Sequence, residues 1–158
     1  MLLFDGHLDL AMNAVLWNRD LTLPVHETRH LEAGMTQKGR AAGTVSFGSM
    51  RQGEVFLCIA TVIARVARQG NPLPGYCSAE VAYAQAQGQL AYYRMMERQG
   101  VLRLIADRAS LDSHLRDWEV RPNSAPLGLI LTMEGADPVV YPEQVHEWRD
   151  QGLRWPPR

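Results

Sequence analysis

The sequence predicts an α/β chain built on a parallel sheet. Three observations carry that expectation. Val55 to Ile63, VFLCIATVI, is apolar and rich in β-branched residues on both faces, as in a parallel strand covered on both sides. Leu127 to Met133 is a second apolar run, and it ends abruptly at Glu134-Gly135. Around these runs lie segments with helical spacing and capping signals, so strands alternate with helices.

The elements follow in order. Met1 to Phe4 reads as a short buried strand leading into FDGHLDL, Phe4 to Leu10. Met12, Val15 and Leu16 then recur at helical spacing, which predicts a short helix or turn. Leu21 to Gly43 is polar and carries Pro24, Gly34, Gly39 and Gly43, so no firm helix is expected there. His26 and His30 fall in it, four apart, and read as solvated histidines on an irregular segment. After the Val55–Ile63 strand, Arg65 and Arg68 face solvent or a loop, and Pro72, Pro74 and Gly75 mark that loop.

Ser78 is a good N-cap, with Glu80 in the first turn where the helix dipole favours negative charge. The helix it opens runs to about Arg98 and stops at Gly100. Its inward side is expected to hold Tyr83, Ala84, Leu90, Ala91 and Met95. Val101 to Ile105 is a short strand. Ser110 caps a second helix whose stripe is Leu111, Leu115 and Trp118, with His114 beside it as a packed or surface residue. Pro142 suits the first turn of a third helix, with Val145 and Trp148 inward. Gly152 is placed for a left-handed C-cap with Leu153 as its apolar companion. Leu153-Arg154 should open another strand, but Trp155-Pro156-Pro157-Arg158 follows, and two prolines cannot donate to a sheet ladder.

Composition narrows the function. The 158 residues suggest one domain, and 46% hydrophobic residues is ordinary for a globular chain. Sixteen basic and seventeen acidic residues are mixed along the chain, giving a net charge of −1. Nothing in that pattern asks for nucleic acid or an anionic membrane. Cys58, inside an apolar run, and Cys77, in a loop, do not make a disulfide framework. No signal peptide is evident and the longest apolar run is too short for a bilayer, so a cytoplasmic protein is expected.

Two motifs carry chemistry. In an extended segment His7 and Asp9 project from one face, and an imidazole nitrogen with a carboxylate oxygen is a good ligand pair for zinc. An isolated His-x-Asp is, however, more often a hydrogen-bonded pair at a strand end. Glu134 stands at the tip of a buried strand, where parallel α/β folds place their chemistry. Alone it equally fits a surface glutamate before a turn.

Taken together, FDGHLDL and LTMEGAD, with MRQGEV (Met50 to Val55) and GLR (Gly152 to Arg154), resemble the renal (membrane) dipeptidase family of zinc metallopeptidases. The resemblance spans nearly the whole chain and matches only the N-terminal half of that family's domain. It implies a metal-dependent hydrolase (β/α)8 TIM barrel, here incomplete, since a full barrel needs roughly 250 residues. Residues 1–154 would be the partial barrel and 155–158 an aberrant tail from truncation or frameshift. The resemblance implies two zinc ions, with His7 and Asp9 on one and Glu134 bridging both. It implies a dipeptide substrate and peptide-bond hydrolysis. The family's two later histidines, and its substrate-binding arginine and proton-transferring aspartate, have no counterpart motif here. His26, His30, His114 and His146 match none of them. At most one zinc is therefore expected to be well held, with little or no activity. A non-catalytic binding protein, or another amidohydrolase on the same fold, is the alternative. Open strand edges make a homo-oligomer one further expectation.

Overall fold

Two apolar runs form the centre of the sheet. The structure, a computed structural model, describes residues 2–154, so the expected tail at 155–158 lies outside the described residues. Strands β1 (Leu3–Leu8), β2 (Val55–Ile63), β3 (Leu102–Leu104) and β4 (Leu127–Glu134) make one parallel sheet in the order β1-β2-β4-β3. Helices α1 (Leu10–Val15), α2 (Val25–Leu31), α3 (Phe47–Gln52), α4 (Ala79–Arg98), α5 (Arg108–Val120) and α6 (Gln144–Asp150) connect and follow them. No helix among the described residues is long and apolar enough to cross a membrane.

The β2–β4 pairing is continuous from Leu57↔Gly128 to Ile63↔Glu134, so the carboxyl ends of both strands finish level. One face of this pair is buried. Cys58, Ala60 and Val62 of β2 and Leu129 and Leu131 of β4 have no exposed surface, and α4 contributes Ala82, Ala86, Leu90 and Tyr93 to the same core. The other face is an open trough lined by Ile59, Thr61, Ile130 and Thr132. Ile59 and Ile130 are half-buried there, while Leu57, Thr61 and Ile63 of β2 are nearly fully buried, so β2 is covered on both sides over most of its length.

β1 departs from expectation. Leu2, Leu3 and Phe4 are 43%, 41% and 53% exposed, because β1 is an edge strand that, among the described residues, pairs only with β2. An apolar run signals a strand, but it does not reveal whether anything packs on it. β3 does not stand between β2 and β4 as sequence order would place it. It pairs with the first half of β4, from Leu102↔Leu127 to Leu104↔Leu129. Beyond it the Arg154 N–H donates to the Leu131 carbonyl at 2.6 Å, so the chain after α6 returns to the second half of the same edge.

Local signals explain most of the helices. Ser78 accepts from the Val81 N–H at the start of α4, and Gly100 (φ +73°) and Gly152 (φ +105°) end α4 and α6 in the left-handed region. The α4 stripe is Ala82, Ala86, Gln89, Leu90, Tyr93 and Met96, while Ala84, Ala91 and Met95 are exposed. α5 is capped by Asp107, not Ser110. The Asp107 carboxylate takes the Ser110 N–H, and Ser110 Oγ reciprocates toward the cap's backbone. α2 forms despite Pro24, which stands at its N-cap, a position that uses no backbone N–H. His26 and His30 on it are exposed. In α6, Trp148 is buried but Val145 is 37% exposed.

Among the buried polar residues, His114 and Glu32 are titratable. His114 has no exposed surface, and its Nε2 lies 2.8 Å from the Phe56 carbonyl. A carbonyl only accepts, so Nε2 carries a proton, and Nδ1 has no partner among the described residues. Gly128 makes the space: a Cβ there would stand 2.5 Å from His114 Nε2. Glu32, 3% exposed, takes two hydrogen bonds from Arg19, one from Arg40 and one from the Ala41 N–H.

Both residues make stability fall in acid. The Arg19 guanidinium, seconded by Arg40 and the Ala41 N–H, outweighs burial and holds the Glu32 carboxyl at about 2. Burial is the main cause that holds His114 below its ordinary value. Each folded-state pKa lies below its unfolded value, so the unfolded chain binds protons first as pH falls. Stability should therefore drop as pH falls through about 6.5, where an unfolded histidine charges, and again between about 4.5 and 2. Melting temperatures measured across this range check it; a flat profile would contradict it.

Candidate metal centre

The carboxyl ends of β1, β2 and β4 lie together, and each delivers a polar side chain. His7 is near the end of β1. Its N–H donates to Asp5 Oδ1 at 2.9 Å, and the β1–β2 register shifts between Asp5 and Leu8. Asp9 is not on the strand. It is the N-cap of α1, with φ −87° and ψ 54°. The two side chains thus meet through an irregular strand end and a turn into a helix, and not through simple alternation. Glu134 ends β4 immediately before Gly135, whose φ of +77° turns the chain sharply.

His7 Nε2 lies 3.3 Å from Asp9 Oδ1 and 3.2 Å from Glu134 Oε2. One donor atom from each residue falls within 4.8 Å of the others, and among the described residues no other group of three such side chains converges. His26, His30, His114 and His146 stand elsewhere. The donor chemistry fits zinc, which takes imidazole nitrogen and carboxylate oxygen at about 2.0–2.2 Å. Neighbouring ligands on a tetrahedral ion with such bonds are about 3.4 Å apart, close to both distances from His7.

Two further residues touch these donors, and sequence reading passed over both. Thr61 of β2, 2% exposed, donates its hydroxyl to Asp9 Oδ1. The signal available was a lone hydroxyl in the second half of an otherwise apolar strand. Arg65, expected to face solvent or a loop, donates from Nη2 to Glu134 Oε1 at 2.9 Å. Glu134 therefore turns one oxygen to Arg65 and the other to His7. Arg68 likewise pairs with Asp137 at 2.8 Å, and the Val66 N–H donates to the same carboxylate. These bonds tie the loop after β2 to the loop after β4, and they fix the rim of the site.

Three solved structures share this architecture. A structure described as dipeptidase AC, a metallopeptidase, matches over 98% of this chain and 41% of its own, with 23% identity and a TM-score of 0.65. A metallopeptidase from Rhodobacter sphaeroides, liganded with a phosphinate mimic of the dipeptide L-Ala-D-Ala, matches over 98% and 44%, with 21% identity and a TM-score of 0.64. The fold is the N-terminal part of a metallodipeptidase barrel. The probable dipeptidase PvdM from Pseudomonas aeruginosa agrees, with 14% identity over 98% of this chain and 33% of its own, at a TM-score of 0.58. The chain thus spans less than half the length of each of these solved structures. No protein-family profile and no curated protein sequence matches it. In such a barrel the carboxyl ends of the strands form the active face. His7, Asp9 and Glu134 lie at that end of the dipeptidase-type sheet.

Proposed function

We propose that this chain is the metal-holding portion of a zinc-dependent dipeptidase, with His7, Asp9 and Glu134 as ligands. The observation that supports the reading is the convergence of those three donors at the carboxyl end of a metallodipeptidase-type sheet. A zinc ion there would polarise a substrate carbonyl and bring the pKa of a bound water to near 7. The residues of this chain do the rest of the work in the site. His7 and Asp9 approach from one strand end and Glu134 from another, which leaves the trough side open to a dipeptide. Arg65 offsets the charge of Glu134 and holds one of its oxygens. The buried wall below, with Thr61, excludes water from the core side.

Three donors suit one open site of the catalytic type. A second ion would have only Glu134, whose other oxygen accepts from Arg65. One tightly held zinc per chain is therefore expected, and slow hydrolysis. The outer edge of β1, which among the described residues pairs only with β2, is where a second chain would add strands. Elemental analysis of the purified chain should give about one zinc, and dipeptide turnover should be zinc-dependent and well below the roughly 10 s⁻¹ of a typical enzyme. Failure to retain zinc, or hydrolysis that persists in a chelator, would remove the reading.

A further inference from the structure

We infer that Tyr93 and Thr61 are positioning residues for Asp9, and that Tyr93 acts by freeing the Asp9 carboxylate from its own helix. The inference rests on the metal reading of His7, Asp9 and Glu134.

Asp9 is the N-cap of α1, with Leu10 and Ala11 the first two helical residues. An aspartate at an N-cap ordinarily accepts from the backbone N–H of the second or third helical residue. Here the Asp9 side chain makes no such bond. The Ala11 N–H donates instead to the Tyr93 hydroxyl, at 3.0 Å, from 82 residues away. The Tyr93 O–H in turn donates to the Thr61 carbonyl at 2.9 Å, and Thr61 Oγ1 donates to Asp9 Oδ1. One phenol thus occupies one of the two donors, that of Ala11, that would draw the carboxylate inward. The residue whose carbonyl it bonds holds that carboxylate out, beside His7.

The arrangement is buried and rigid. Tyr93 has no exposed surface and Thr61 is 2% exposed, so each hydroxyl needs a partner, and each has one. Burial pushes the Tyr93 phenol above its ordinary range, so it stays a neutral donor. The carbonyl of Asp9 is held separately by the Asn13 N–H at 3.0 Å and by Asn13 Nδ2 at 2.8 Å. Backbone and carboxylate are therefore fixed by different residues. Outer partners of this kind set the orientation of a metal ligand, and their loss typically weakens metal binding 10–100-fold.

Tyr93→Phe removes only the hydroxyl. The free Ala11 N–H then recruits the Asp9 carboxylate as a conventional cap, which restores the helix end while withdrawing a ligand. The expected result is a zinc dissociation constant raised about 10–100-fold in a chelator-competition titration, beside a modest fall in the metal-free melting temperature from the Thr61 carbonyl left without its donor. Thr61→Val should weaken zinc similarly, and Thr61→Ser, which keeps the hydroxyl, should stay within about threefold of the parent. Parent-like zinc affinity in both Tyr93→Phe and Thr61→Val would overturn the inference. So would a loss of affinity in Thr61→Val matched by an equal loss of its metal-free stability, the mark of a purely structural role. A parent chain that binds no zinc would defeat the metal reading itself, a result distinct from either.

Discussion

Glu32→Ala should destabilise the protein by roughly 3–5 kcal/mol, the usual cost of leaving a buried charge without its partner. Side-chain exposure is 4% for Glu32, 8% for Arg19 and 15% for Arg40, so water replaces the lost carboxylate only in part. Two guanidinium groups would then face each other beneath Trp17, over whose ring they lie at 4.7 and 5.1 Å. The Ala41 N–H, at a positive-φ residue, would lose its acceptor as well. Against a total stability of about 5–15 kcal/mol, this is a large fraction. The damage should also reach the metal centre. Arg19 donates to Asn13 Oδ1, and Asn13 holds the Asp9 carbonyl. Urea unfolding measures the first effect and zinc affinity the second. A change in stability within about 0.5 kcal/mol, as for an ordinary surface substitution, would contradict the description of this cluster.

His7→Ala should have the largest effect on zinc. It removes one of three donors and leaves two carboxylates held by Thr61 and Arg65. Outer partners of metal ligands are alone worth 10–100-fold, so loss of a direct ligand should weaken binding by on the order of 100-fold or more. Folding should hardly change, since the His7 side chain is 54% exposed. Competition titration beside a thermal melt separates the two effects. Undiminished zinc binding would show that His7 is not a ligand.

What the sequence displays plainly is whatever lies close along the chain. VFLCIATVI and LGLILTME announce β2 and β4 by composition, Ser78 announces α4 through its cap, and Gly100 and Gly152 mark ends that need a left-handed residue. His7, Asp9 and Glu134 stood out because strand ends are where such folds hold polar groups. The rest depends on partners far apart in the chain. Glu32 meets Arg19 across 13 residues, Thr61 meets Asp9 across 52, and Tyr93 meets Ala11 across 82. No periodicity encodes those pairs. Leu21 to Gly43 reads as irregular because its order comes from one buried ion cluster and not from an apolar stripe. The exposure of β1 and the edge position of β3 are likewise properties of pairing, which local composition does not carry.

On the proposed reading, His7, Asp9 and Glu134 hold one metal ion together. Anomalous diffraction at the zinc absorption edge, from crystals of this chain grown with zinc, locates the ion directly. One strong peak is expected about 2.0–2.2 Å from His7 Nε2 and from an oxygen of each of Asp9 and Glu134. A peak on His26, His30 or His146 instead, or none between the ends of β1 and β4, would contradict it.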